Sequence, residues 1–176
     1  MNNTNPIQVL IDEHDVIVTA EEIIKSLNHT WQNNETLYCE NVKKLITFFR
    51  QYSDEFHHKK EEDILFKELM NNPDFLLKDI ITELENHHEM FREAVLEIDE
   101  AIQHKEYEKA QKTLASFIND LLDHIAVEND ELFSMAESLY DEEELKRIYF
   151  LFEDKERELG PERKKALAES LRTIKP

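Results

Sequence analysis

His57-His58-Lys59-Lys60-Glu61-Glu62-Asp63-Ile64-Leu65-Phe66 decides how the chain is read, because its frame returns as His124-x-x-x-Glu128-x-x-x-Leu132-Phe133. Each copy sets an imidazole and a carboxylate four residues apart, so on a helix both leave one face, one turn from each other. A single histidine precedes each copy, His14 before the first and His88 before the second. Each has a leucine four residues earlier, Leu10 and Leu84. The pattern is a helical hairpin written twice, each hairpin supplying two imidazoles and one carboxylate. Four imidazoles and two carboxylates facing one core are what a pair of iron ions requires.

Working outward, apolar residues recur at helical spacing on four long segments. Ile7, Leu10, His14, Ile17 and Ile24 mark the first, from Pro6 to about His29, with Thr4 or Asn5 as its cap after a polar leader over 1–5. Ile46, Phe49, Ser53, His57, Glu61 and Leu65 mark the second, from about Glu35 to Met70. Asn71-Asn72-Pro73 ends it, since the residue before proline is pushed out of the α region. The third, about Asp74 to His104, carries a heptad seam through Leu77, Ile81, Leu84, His88, Phe91, Val95, Ile98 and Ile102. The fourth, about Glu106 to Leu139, repeats the spacing through Leu114, Phe117, Leu121, His124, Glu128 and Leu132. The acidic run 141–144 suits the N-terminus of a further helix with Leu145, Ile148, Tyr149 and Phe152 on one face. Gly160-Pro161 breaks that helix, and a short amphipathic one with Leu167, Leu171 and Ile174 follows. These last two form either a brace on the bundle or a contact to a partner.

The expected architecture is all-α: an up-down-up-down four-helix bundle over 1–140 and a helical extension over 141–176. One glycine and four prolines in 176 residues leave too few turn formers for a many-stranded fold. Depth supports the bundle. Counted from turns near Gln32 and Lys105, His14 and His88 lie 18 and 17 residues back and His124 lies 19 forward. At about 1.5 Å per residue these agree to roughly one turn. His57 is 25 residues forward, several of them in the connecting loop.

Composition narrows the function classes. A net charge of −19 excludes a phosphate backbone as the natural partner and disfavours anionic membranes. Cys39 is the single cysteine, so no internal disulfide forms. The opening residues lack the charged and then apolar pattern of a signal peptide, and no apolar run reaches a transmembrane length. The expected location is the cytoplasm.

The six residues are expected to be chemistry and not packing. A lone histidine in an apolar stripe is ordinarily a core residue with one hydrogen bond. Four at one depth, two with glutamate at i+4, are different, because a buried carboxylate without a partner costs several kcal/mol or protonates. A divalent cation pair satisfies both carboxylates, and neutral imidazoles complete the shell. Ligation without thiolate fits iron best and leaves zinc or manganese open.

The paired motifs, with Lys60-Glu61-Glu62-x-x-Leu65-Phe66 after His57 and Glu128-Asn129-x-x-Leu132-Phe133 after His124, resemble those of the hemerythrin-like (HHE cation-binding) proteins over residues 7–140. Leu159-Gly160-Pro161 looks like the tail of stand-alone bacterial members. The resemblance implies a four-helix bundle with a non-haem di-iron centre, oxo- or hydroxo-bridged. It pairs His14 with His57 on one ion and His88 with His124 on the other, with Glu61 and Glu128 bridging. Oxygen-carrying members have a second histidine one turn away on the third helix; here those positions are Leu84 and Arg92. The pattern is closer to the repair-of-iron-centres and catalase-like members. Two imidazoles per ion leave an open position on each, which suits turnover of O2, peroxide or nitric oxide better than reversible O2 carriage.

Other residues carry less. His58, Glu62 and His87 fall one position off the inward faces and are expected at the helix surface. A register shift exchanges His87 with His88, and the seam favours His88. His29 and His104 fall by the turns. Glu21 is either a partner behind a ligand or an exposed charge. Two other functions compete with di-iron redox chemistry: a sensor whose acidic C-terminal helices respond to the iron, and a ferritin-like iron oxidase or store. The Glu-x-x-His strings at Glu55/His58 and Glu85/His88 stand on the second and third helices, not the second and fourth that a ferritin-like site needs.

Overall fold

The computed structural model describes residues 4–175, so the first three residues of the expected polar leader lie outside it. The first rod is α1 (Pro6–Ile17) and α2 (Ala20–Ser26), separated by a turn at Val18–Thr19 where the Thr19 hydroxyl donates to the Val16 carbonyl at 2.6 Å. Asn5 is the cap, its side chain accepting from the Ile7 N–H at 2.9 Å with Pro6 in the first turn. His29, at φ 63°, turns the chain into the second rod.

That rod is not one regular α-helix. It runs α3 (Glu35–Phe48), a π-helix over Phe49–His58, a second π segment over Glu61–Leu65 and α4 (Phe66–Asn71). Asn72 is extended before Pro73 and ends it where the sequence places the break. The third rod, α5 (Lys78–Gln103), starts four residues later than the spacing predicts. The Asp74 N–H donates to the Asn72 side chain at 2.9 Å and Phe75 is buried, so these residues close a turn and do not open the helix. The fourth rod is α6 (Tyr107–Val127), a π segment over Glu128–Phe133 and α7 (Ser134–Leu139).

Among the described residues there is no strand. Helices α5 and α6 form the most extensive helix pair, α3 packs on α5, and α2 packs on α6. The apolar core falls into two clusters. One contains Ile17, Phe56, Phe91, Leu121 and Ile125; the other contains Leu10, Phe66, Leu84, Leu132 and Phe133. In every rod the histidine at issue lies between a residue of one cluster and a residue of the other, so a polar layer is sandwiched between two apolar ones.

Two further helices, α8 (Glu142–Leu159) and α9 (Pro161–Leu171), pack back on the bundle, α8 against α1 and both π segments of the second rod, α9 against α3 and the first π segment. Asp141 and Glu144 form a reciprocal capping box at the start of α8. Gly160 joins the two at φ 94°, a conformation that a side chain would strain. Ile148, Phe152, Leu167, Leu171 and Ile174 are buried, so in this chain the pair braces the bundle. Phe152→Ala is expected to lower stability by about 3–5 kcal/mol, the usual loss on emptying a core aromatic site. Urea denaturation followed by circular dichroism checks it.

Candidate metal centre

The local fold explains why so many polar side chains point inward on the second rod. His57, His58, Lys60 and Glu61 are all at most 3% exposed, four of five consecutive positions. An α-helix with one covered stripe cannot do this. Widening to i→i+5 pairing changes the angular step, and α8 and α9 cover the side that would otherwise meet solvent. His57 then faces α1, His58 faces α5 and α6, and Lys60 faces α8.

The six residues predicted from sequence all come together, each at most 2% exposed. They do so as two overlapping groups whose ligand atoms lie within 4.8 Å of one another. One is His14, His57, Glu61 and Glu128; the other is His58, Glu61, His88 and His124. Each carboxylate faces both groups. Glu61 Oε1 is 3.5 Å from His57 Nε2 and its Oε2 is 3.5 Å from His88 Nε2. Glu128 Oε2 is 3.3 Å from His14 Nε2 and its Oε1 is 3.1 Å from His124 Nε2.

These contacts lack hydrogen-bond geometry. All four oxygens of Glu61 and Glu128 are buried without a hydrogen-bond partner, as are His14 Nε2 and both nitrogens of His58. His88 Nε2 and His124 Nε2 meet at 3.1 Å, and those other oxygen and imidazole atoms are left without partners; such overlapping sets are the donors a divalent first-row metal takes.

The outer nitrogens are held. His14 Nδ1 lies 2.9 Å from Asn129 Oδ1, His57 Nδ1 2.9 Å from Glu13 Oε2, and His88 Nδ1 2.9 Å from Glu62 Oε1. An oxygen acceptor at Nδ1 requires the proton there, which leaves the Nε2 lone pair free toward the cluster. His124 Nδ1 is 3.3 Å from His87 Nδ1.

Electrostatics agree. Burial pushes His57 well below the ordinary imidazole range, with the His14 ring adding to it, and burial likewise keeps His58 and His88 neutral. Burial, reinforced by the Glu128 charge, drives the Glu61 carboxyl far up. Burial acts the same way on Glu128, but His124 and His14 outweigh it and hold that carboxyl below its usual range.

Two expectations are corrected. His58 is not on the surface: it is 3% exposed, stacks on His88 with ring centroids 3.9 Å apart, and raises the inward imidazoles from four to five. Glu62 is not merely exposed but accepts from His88, and Arg92 binds it at 2.6 Å. His87 is half-buried and rests against His124, while His88 lies inside the cluster. Glu21 pairs with Lys25 at 2.8 Å, and the carboxylate behind a cluster histidine is Glu13. His29 and His104 are exposed at the turns.

Sequence reasoning had no signal for Glu13, which lies beside His14 and meets His57 only after folding. Glu13 sits in a buried charge network. Lys60, wholly buried, contacts Glu13 and also donates to Glu156 of α8 at 2.7 Å; Lys164 of α9 contacts both carboxylates. Burial lowers the Lys164 ammonium, but Glu13 and Glu156 outweigh it and raise it.

A buried layer of imidazoles and carboxylates across four helices makes this a metal-binding helical-bundle protein. A family model described as the hemerythrin HHE cation binding domain matches residues 5–136, and the chain belongs to that family. No curated protein and no solved structure gives a match. No helix among the described residues is long and apolar enough to cross a membrane.

Beside the cluster, burial raises the Asp54 carboxyl, but the facing His58 ring and the Arg92 guanidinium pull it down to about 2. Its folded pKa is therefore below its unfolded one, so its stabilisation is present above the unfolded value and is lost as pH falls toward 2. Arg92→Met is expected to cost about 1 kcal/mol, the scale of a partly screened ion pair. In metal-free protein that difference from the parent should hold above roughly pH 4 and shrink below it. Urea titrations across that range read it directly.

Proposed function

We propose that the two overlapping groups hold an iron pair, and that the protein binds or reacts with small oxidants, O2, peroxide or nitric oxide, in oxidative or nitrosative defence or iron-centre repair. The observation that supports this most is the set of four buried carboxylate oxygens, each aimed at an imidazole nitrogen and none hydrogen-bonded. His14 and His57 would hold one ion, and His58, His88 and His124 the other, with Glu61 and Glu128 shared. Residues 1–140 are the centre-bearing unit in this reading and 141–176 its extension, in a cytoplasmic setting.

A bound iron pair supplies redox equivalents and an open coordination position for a small ligand. The protein's own residues do the rest. Glu13, Glu62 and Asn129 hold the Nδ1 protons of His57, His88 and His14, keeping each ring in one tautomer and one orientation. Phe133 stacks on His14 and Phe66 on His88, at 5.5 and 5.9 Å between centroids, and the apolar clusters above and below exclude water.

The fifth imidazole changes the count made from sequence. With His58 counted, the His88 side would offer an ion three imidazoles and the His14 side two, with Glu61 and Glu128 shared between them. An ion on the His14/His57 side would find fewer protein donors and would be the better placed to take a small ligand. A second reading, an iron or redox sensor, is favoured by one observation: α8 and α9 reach His57 through Glu156, Lys164 and Glu13.

Metal analysis and the optical spectrum of freshly purified protein, before and after peroxide and nitric oxide, test the proposal. Two irons per chain with an oxo-bridged ferric band are expected, and His58→Asn should lower the iron content where His29→Asn does not. Zinc alone, or iron unchanged in His57→Ala/His124→Ala, would overturn it. A stable reversible oxy form would favour carriage over turnover. A redox-dependent change in protease sensitivity beyond residue 140 would favour the sensor.

Glu13→Gln is expected to weaken metal affinity by about 10–100-fold, as loss of a ligand's supporting carboxylate does. Glu21→Gln should not. Competition against a chromophoric chelator measures both.

A further inference from the structure

On the outer side of His58, between the second, third and fourth rods, lies a pocket of about 210 Å³. Its floor is Phe49, Phe91, Val95, Phe117 and Leu121, each at most 6% exposed. A diatomic gas or peroxide needs about one water's share of space, roughly 30 Å³, whereas an apolar cavity of about 150 Å³ accepts benzene. The pocket is sized for a ring.

Two polar groups break the apolar lining from below. The Ser53 hydroxyl is 2% exposed and has no hydrogen-bond partner, and His58 stands five residues on. Both belong to the π-helix, where i and i+5 share a face, so the backbone irregularity that turns His58 inward also sets Ser53 above it. The Ser53 oxygen is covered in this conformation and left unpaired, so a ligand carrying one polar atom that the serine side chain can turn to meet is favoured there.

The charges at the mouth are already matched. Arg92 binds Asp54 and Glu62, each at 2.6 Å, and Arg50 binds Asp99 at 2.9 Å. A charged ligand would find no free counterion, and a neutral one meets no penalty.

We propose that this pocket binds a small neutral aromatic alcohol of the phenol class, its ring among Phe49, Phe91 and Phe117 and its hydroxyl paired with Ser53. The ligand rests against the His58 ring. The site depends on the pocket walls and not on the iron chemistry proposed above, so the two can fail separately.

The test is 19F NMR titration of the full chain, as purified with its metal, using 4-fluorophenol, fluorobenzene and 4-fluorobenzoate. Saturable 4-fluorophenol binding is expected, tighter than that of either other probe. Ser53→Ala should weaken 4-fluorophenol by about two- to tenfold, one hydrogen bond's worth, and leave fluorobenzene unchanged. Val95→Phe, with its fold checked by circular dichroism, should weaken both by filling the pocket. Absence of saturable binding overturns the proposal. Tighter binding of the benzoate overturns the neutral class. Unchanged 4-fluorophenol affinity in both variants places the probe elsewhere and overturns the site.

Discussion

Two carboxylates at the centre of a helical bundle, with no hydrogen bond to any of their four oxygens, are the constraint on which the structure turns. Left alone, Glu61 and Glu128 cannot both stay ionised in an apolar interior, and the geometry reflects that, with one carboxyl driven up and the other held down. Five imidazoles surround them, and at least three are kept neutral by burial. Cations are what relieve such an arrangement. The apolar layers on either side are its complement, because they keep the interior dry enough for the constraint to matter.

Much of this was legible from residue spacing, and the parts that were not share a cause. The four rods, the break at Asn72-Pro73 and the common depth of His14, His57, His88 and His124 follow from a period near 3.6 and from turn chemistry. Those rules treat each rod as a regular α-helix with one inward stripe. The second rod is π-helical through the motif and covered on more than one side, so His58 and Lys60 turn inward where a 3.6-residue period puts them outside. Glu62 escaped for a related reason: its role depends on where His88 of another helix presents Nδ1. Glu13 is harder still, since its partners come from the second rod and from both C-terminal helices.

The departure on α5 is of a different kind. The positions Leu84 and Arg92 that flank His88 hold no second histidine, and counting one inward histidine per rod gives four imidazoles. The fold makes up the fifth from the neighbouring rod, with Arg92 recruited instead to hold Asp54 and Glu62. A count of inward imidazoles made helix by helix therefore misses a residue that a count made in space includes. Metal sites are built across helices, and the unit that matters is the layer.

The charges gathered round Glu13 tie the assembly to the order in which the chain is made. Lys60 emerges early in synthesis, but Glu156 and Lys164 follow it by about a hundred residues. Until they arrive, the Lys60 ammonium is uncovered and lacks Glu156, and the carboxylate behind His57 lacks Lys164. A nascent chain that has released only its first four rods carries an unfinished electrostatic socket on one side, and translation of α9 closes it.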